Sequence, residues 1–418
     1  MSKPSHPSIR IAVVGGGAAG IFAALTAAET NPNAGIVVFE KSPRFLSKVK
    51  ISGGGRCNVT HSCFDPKELI SRYPRGSKAL LGPFHRWQPR DMIDWLEMRG
   101  VALKTERDGR MFPTTDSSQT IIDCLLDAAS VSKIELRSRA GVSSVTVDSE
   151  GRFILSPHSG PAESYDRLII ASGGGKSLEA HALATSLGHN IAPLAPSLFT
   201  FHVEDPRIEG LQGLAVPNAT IACPQARLKQ SGPLLITHWG LSGPAALKLS
   251  AWGARAFASC DYRFEVAVNW TGRLDRQAAT DALEQAKGAK GAKLVNSDTP
   301  FDLPKRLWVR LVRCADISDR TPYSQLSKAN LQTLATILVD SRFHVSGKSM
   351  NKEEFVTCGG VELKEVDFKR MESKLRPGLH FAGEALDIDG VTGGFNFQAA
   401  WTTGRIAGLS AAEPKSEP

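Results

Sequence analysis

The chain has 418 residues, enough for two or three domains and a sizeable core. Hydrophobic residues make up 42% and charged residues 22%, which excludes disorder, collagen and coiled coil. Lys and Arg number 50 against 42 Asp and Glu, so the formal charge is +8, a mild preference for anionic ligands with no basic block to mark a nucleic-acid arm.

In chain order, residues 9–14 predict a short buried strand, 15–20 a tight glycine turn and 21–29 a helix. Residues 36–39 then predict a second strand ending at Glu40, which opens a right-handed parallel βαβ unit. The uncharged run over 11–28, behind Lys3 and Arg10, is neither a signal peptide nor a membrane span, because Gly15, Gly16, Gly17 and Gly20 interrupt it. Helices are predicted over 91–99 and 118–130, and strands over 134–136, 142–147 and 152–155. A further buried strand, 167–171, runs into Ser172, Gly173, Gly174 and Gly175. After Pro193 and Pro196, strand-like runs at 199–203, 219–222, 234–237 and 262–268 predict an inserted β-rich domain. The pattern is helical over 275–340, with a solvated connector at 288–293, and strand-like again at Phe343 and Phe355. From Gly378 it reads strand, glycine-rich loop and long small-residue helix, with an unstructured tail after Ala411. The predicted division is a discontinuous nucleotide-binding domain, 1–192 and 344–418, around an insertion at 193–343 that is β-rich over 193–271 and helical over 272–343.

The hexad Gly15-Gly16-Gly17-Ala18-Ala19-Gly20 fits the dinucleotide fingerprint in the required context, after a strand and at the start of a helix. Gly15 permits the turn, Gly17 leaves room for a pyrophosphate and Gly20 lets helix and strand pack closely. The helix N-terminus offers unpaired N–H groups to phosphate, and Glu40, with Lys41 beside it, is placed to meet the ribose hydroxyls. A second glycine run, Gly53-Gly54-Gly55 leading to Asn58, and a third segment, Ala171-Ser172-Gly173, approach the same cofactor. Gly175-Lys176-Ser177 is not a P-loop, which needs a glycine where Ile170 stands.

Three long motifs then make the resemblance specific. They are Ile51-Ser52-Gly53-Gly54-Gly55-Arg56-Cys57-Asn58-Val59-Thr60; Thr237-His238-Trp239-Gly240-Leu241-Ser242-Gly243-Pro244-Ala245; and residues 381–390 with Thr392-Gly393-Gly394-Phe395-Asn396. In this order, over nearly the whole chain, the sequence resembles the BaiN-like or YhiN-like flavoprotein family, also described as aminoacetone-oxidase-like. The resemblance implies an α/β fold: a Rossmann-like FAD-binding domain of glutathione-reductase type, with an inserted β-barrel-like domain and a helical subdomain. Leu46-Ser47-Lys48 departs from the Gly-Arg-Lys common in such proteins. In the C-terminal motif, Gly393 and Gly394 open a helix whose N-terminus would stabilise negative charge on a reduced flavin. Asp389 and Asn396 are candidates for the ribityl chain or ring, and Gly383 and Glu384 for flavin contact or a structural turn.

The expected chemistry is an FAD-dependent oxidoreductase that passes a hydride through flavin N5 between a donor and an unidentified small-molecule substrate. No second complete fingerprint exists, so NAD(P)H would bind only transiently, and amine oxidation with oxygen is an alternative. A different class, a flavin-bearing RNA-binding or RNA-modifying protein, is suggested by Lys305, Arg306, Arg310 and Arg313 beside Trp308. A flavoprotein redox sensor without turnover is a third. Five residues separate Cys57 from Cys63, which does not suit the Cys-x4-Cys of flavin-linked disulfides, so Cys57 is expected to pack beside the cofactor and Cys358 to be a small buried residue. Seven dispersed cysteines without paired metal spacing predict no metal site and a reduced, cytoplasmic setting. His238 is the candidate catalytic residue, in a glycine-rich segment expected to be the least surface-like of the insertion. The sequence carries no signal for oligomeric state.

Overall fold

The computed structural model describes residues 9–175, 181–349 and 356–414. Lys176, Ser177 and Phe355, and the end of the tail, lie outside them; Ala411 and Ala412 close the last helix. The chain forms two compact units, Met1–Pro196 with Lys352–Pro418, and Ser197–Asn351.

The first unit is built on a sheet whose centre is β1 (Arg10–Val14), paired in parallel with β2 (Gly35–Phe39) on one side and with strand Arg167–Ile170 on the other. Parallel pairing continues outward to Glu135–Arg137 and Leu379–Phe381, and a short antiparallel pair closes one edge. Strands buried on both faces need the unbroken apolar runs seen here. Between β1's two neighbours lies the point where strand order reverses, the crevice in which doubly wound sheets bind nucleotides. Helix α1 (Ala18–Thr30) is buried along nearly its whole length against the C-terminal helix Phe395–Ala412. Two glycines of that helix make the approach possible: a Cβ on Gly404 would sit 2.6 Å from the Ala19 carbonyl oxygen, and one on Gly408 2.3 Å from that of Ala23.

The second unit carries a seven-stranded antiparallel sheet in the order Ser341–Val345, Phe264–Asn269, Ala215–Cys223, Leu228–Thr237, Gly240–Ser242, Thr200–His202, Gly347–Ser349. Its two edge strands are separated in the chain by Ser346 alone. A sheet with its edges joined so closely must curl round on itself, which accounts for the expected barrel-like shape. Its core includes Phe201, Val216, Ile236, Val266 and Phe343, and runs on into helices Arg276–Ala289, Lys305–Cys314 and Lys328–Val339. Helix Gly243–Trp252 adds an element that the strand-like texture hid, since Gly243 and Pro244 sit at a helix start and the residues after them favour helix. No helix among the described residues is long and apolar enough to cross a membrane.

Candidate functional site

The first wall of the site is the turn between β1 and α1. Gly15 adopts φ +115°, and a Cβ there would lie 2.3 Å from the Ala171 carbonyl oxygen. A Cβ on Gly16 would strike the Phe45 ring, and one on Gly20 would come within 1.9 Å of the Gly15 carbonyl oxygen. Gly17 is different: a Cβ there meets nothing within 4 Å. The turn is therefore closed on the protein side and open on the other. Gly17 caps α1 without any side-chain acceptor and no acid sits in the first turn, so the helix presents bare N–H groups to the open side. Ala18 and Ala19 are buried just behind.

Glu40 ties this turn to the end of β2. Its carboxylate accepts from the N–H of Gly16 and from that of Ser42, both at 2.8 Å, which leaves lone pairs on each oxygen for a ribose. Leu46 donates its N–H to Gly16 O at 2.8 Å, so the segment that departs from the family pattern still braces the turn through its backbone. Lys41 is exposed.

The second wall is α2 (Ser47–Gly55), whose last turn leaves helical geometry: Gly53, Gly54 and Gly55 have φ of +59°, +70° and +85°. Three successive left-handed residues require glycine, and they bare a run of backbone N–H groups. Gly53 abuts Phe112, whereas Cβ atoms on Gly54 and Gly55 would meet nothing, and neither would one on Gly173 at the end of strand Arg167–Ile170. The adjoining Ala171 is buried and donates its N–H to Val14 O, while Ser172 is exposed. Cys57 is fully buried, and burial pushes its thiol up to about 12, so it remains a neutral SH; Cys63 is raised by burial too, and all seven cysteines are free.

The third wall is the start of the C-terminal helix. Gly393 and Gly394 have φ of +133° and +90°, and Gly394 is the cap, again without a side-chain acceptor of its own. Here other segments hold the backbone. The buried Asn58 amide accepts from the N–H of Gly394 at 2.9 Å and donates to Thr60 O at 3.0 Å. Asn396 spends both ends of its amide on Gly390, accepting at 2.8 Å and donating at 3.0 Å. Tyr73 donates to Phe395 O at 2.6 Å. Asp389, fully buried, forms a two-pronged ion pair with Arg75. Asn58, Asp389 and Asn396, read from sequence as cofactor contacts, also shape the loop through these bonds. Glu384 is shared in the same way: it accepts from Lys48 Nζ at 2.6 Å and from the Gly174 N–H at 3.1 Å, while Gly383 (φ +65°) donates to Thr403 Oγ1.

Four residues escaped the sequence reading: Lys48, Tyr73, Arg75 and His61. The signal for His61 was at hand, since it follows directly on the second glycine motif. Its ring stacks on Phe395 at 4.7 Å and lies beside Gly393. Nε2 faces the Asp108 carbonyl at 3.0 Å, and a carbonyl only accepts, so Nε2 carries the proton. Nδ1 is left as a buried acceptor with no partner among the described residues, and burial lowers the ring's basicity. In the second unit, His238 and Trp239 lie at the exposed tip between strands Leu228–Thr237 and Gly240–Ser242, with Trp239 61% exposed. The expectation of a segment withdrawn from the surface is therefore corrected: a two-residue turn joins the paired strands, and its apex projects past the sheet with no core to enter.

FAD is the group these walls fit. Four glycines, Gly17, Gly54, Gly55 and Gly173, turn their side-chain-free faces to open space, while Gly15 and Gly20 are filled by backbone. A cradle of bare N–H groups at a strand-order reversal suits a pyrophosphate flanked by two polar arms. The class defined by this fold and site is the FAD-dependent oxidoreductases, with a Rossmann-like FAD-binding domain. Residues 9–410 match the HI0933-like protein Rossmann domain, and the chain belongs to that family. It is 32% identical to a ribosomal RNA dihydrouridine synthase of Escherichia coli, covering 94% of this chain and 95% of that one. It is 27% identical to a 3-dehydro-bile acid delta(4,6)-reductase of Clostridium scindens, covering 97% and 99%. Among solved structures, a 3-ketosteroid-delta4-(5alpha)-dehydrogenase of Rhodococcus jostii shares the fold at 12% identity, with a TM-score of 0.51 and 98% of each chain covered.

Proposed function

We propose that this protein reduces a carbon–carbon double bond conjugated to a carbonyl, and that its substrate is a uridine of ribosomal RNA. The observation that carries this is the 32% identity, over nearly the full length of both chains, to a ribosomal RNA dihydrouridine synthase; a second such synthase, from Haemophilus influenzae, is 28% identical over 95% of this chain. The bile-acid relative is likewise named a reductase, of a 3-dehydro-bile acid at its delta(4,6) positions. On uridine the hydride would add to C6, the carbon β to the C4 carbonyl, and the proton to C5. The identity to the two synthases favours the RNA alternative over the small-molecule substrate expected first.

Bound FAD supplies the hydride relay through N5. The chain's own residues do the rest. The bare start of α1 and the Gly54–Gly55 nest take the pyrophosphate, and Glu40 takes the adenosine ribose. The start of the C-terminal helix, with its partial positive charge, would stabilise negative charge on the reduced flavin. His61 Nδ1, a buried acceptor without a partner among the described residues, would accept a hydrogen bond at that end of the cradle. The overall balance is NAD(P)H plus a proton plus uridine to NAD(P)+ plus dihydrouridine, in a cytoplasmic setting that agrees with seven free cysteines.

The test is incubation of the yellow holoenzyme with NADPH or NADH and ribosomal RNA free of dihydrouridine, followed by mass spectrometry of the nucleosides. A gain of two hydrogens on uridine is expected. Reduction of a small steroidal enone with untouched RNA would instead support the bile-acid-like reading.

A further inference from the structure

Two surface features of the second unit have no role in the FAD cradle. The first is Trp239, a large aromatic ring left 61% exposed at a turn. It is not loose: its ring stacks on that of His202 at 5.4 Å and 16°, and its backbone oxygen accepts from the Val203 N–H at 2.9 Å. A rigid, backed indole face turned to solvent is a ready surface for a flat ligand. The second is the outer face of helix Lys305–Cys314. Lys305, Arg306, Arg310 and Arg313 line a cavity of about 370 Å³ with Gly210 and Leu211. Among the described residues, Asp319 is the one carboxylate that pairs with any of these four cations, through Arg313. Trp308 cannot serve as an aromatic partner to this face, because it is buried and donates to Val295 O at 2.6 Å.

One loop, 203–214, ties the two features together. At one end Val203 bonds to Trp239, and at the other Leu214 O accepts from the Ile236 N–H at 2.9 Å, on the strand that leads to the tip. Between those ends, Arg306 donates to Gly210 O at 2.5 Å and Arg310 to Pro206 O. Two guanidinium groups are thereby held in place instead of waving in solvent.

Resting on the RNA reading above, we propose that this surface is where the nucleic acid docks: an unpaired base stacks on Trp239, and backbone phosphates meet Lys305, Arg306, Arg310 and Arg313. Unpaired bases have free faces that aromatic side chains can cover, and phosphates supply the charge that the helix face lacks. Stacking selects unpaired over paired RNA, whereas the cations position the strand without regard to sequence.

The experiment uses the full-length holoenzyme and two uridine-containing ribosomal RNA hairpins, one with an open loop and one fully paired along its stem with a minimal closing turn. Trp239→Ala should weaken binding of the open-loop RNA roughly 10-fold and leave the paired RNA unchanged, and Trp239→Phe should restore most of the loss. The double variant Lys305→Gln with Arg310→Gln should weaken both RNAs and flatten the dependence of log affinity on log salt by about 1 to 2 units. FAD content and NADPH-driven ferricyanide reduction should stay at wild-type levels in all of them. If the wild type makes dihydrouridine but Trp239→Ala binds the open loop as well as before, or loses both RNAs equally, the docking surface is wrong and the functional reading stands. If the wild type neither binds nor modifies RNA, the functional reading fails and takes this surface with it.

Discussion

Two helices begin at the FAD cradle, and they are built in opposite ways. Helix α1 starts from Gly15 and Gly20 packed against backbone, and its cap, Gly17, takes no side-chain hydrogen bond. The C-terminal helix starts from glycines held by Asn58, Asn396, Tyr73 and the Arg75–Asp389 pair, from segments up to hundreds of residues away. The first gains its shape from what is missing, the second from what surrounds it. Removing a side chain should therefore damage the second and adding one should damage the first.

The largest effect is expected from Asp389→Ala. Deleting one partner of a buried ion pair costs about 3–5 kcal/mol, because the remaining charge keeps its desolvation penalty. Chemical denaturation should show that loss, together with weaker FAD retention; unchanged stability would mean that the loop does not depend on the pair. Next come two glycines of one turn. Gly20→Ala would press a methyl into the Gly15 carbonyl and should cost roughly 3 kcal/mol even without FAD. Gly17→Val meets no protein atom, so the apoprotein should keep its denaturation midpoint while the purified protein comes out colourless. Full FAD occupancy in Gly17→Val would erase the distinction between the closed and open faces of the turn.

Acid should act on the scaffolded side. His380, on the strand that leads to the C-terminal loop, is fully buried, and burial lowers its pKa to about 4 although Glu372 opposes the shift. The unfolded chain takes up a proton near pH 6.5 that the folded ring refuses, so stability is complete above that pH and declines as pH falls towards about 4. Urea midpoints measured from pH 7 to 4.5 should fall in the wild type and fall less in His380→Asn. The smallest effect belongs to Cys57→Ser. A thiol held neutral to about pH 12 takes no part in turnover, so NADPH oxidation should stay within about twofold, and iodoacetamide at pH 8 should label exposed Cys260 well before Cys57.

The same contrast explains what could be read from the chain. The turn at 15–20 was legible because its physics is local: a strand, a run of glycines, a helix, and Glu40 at the next strand's end. Strands 9–14, 36–39 and 167–171 were foreseen within a residue or two for the same reason, as unbroken apolar runs. The C-terminal motif was recognised as a site, but nothing in it announced that Asp389 holds Arg75 or that Asn396 holds Gly390. A carboxylate or amide beside a glycine looks the same in sequence whether it faces a ligand or a backbone, and Arg75 lies too far along the chain to betray itself. The exposure of the segment around His238 was missed because composition reports nothing of a turn's apex, and the helix at Gly243–Trp252 was hidden by surrounding strand texture.

The contact of α1 with Gly404 and Gly408 also sets a schedule. The sheet's first strands and the fingerprint turn emerge early in synthesis, yet the helix that braces α1 from behind and forms the third wall follows every other described element. A nascent chain still threaded through the ribosome holds the glycine turn without its support. FAD loading must therefore wait until that helix has left the exit tunnel, and a chain cut short before Gly404 should stay empty however intact its fingerprint.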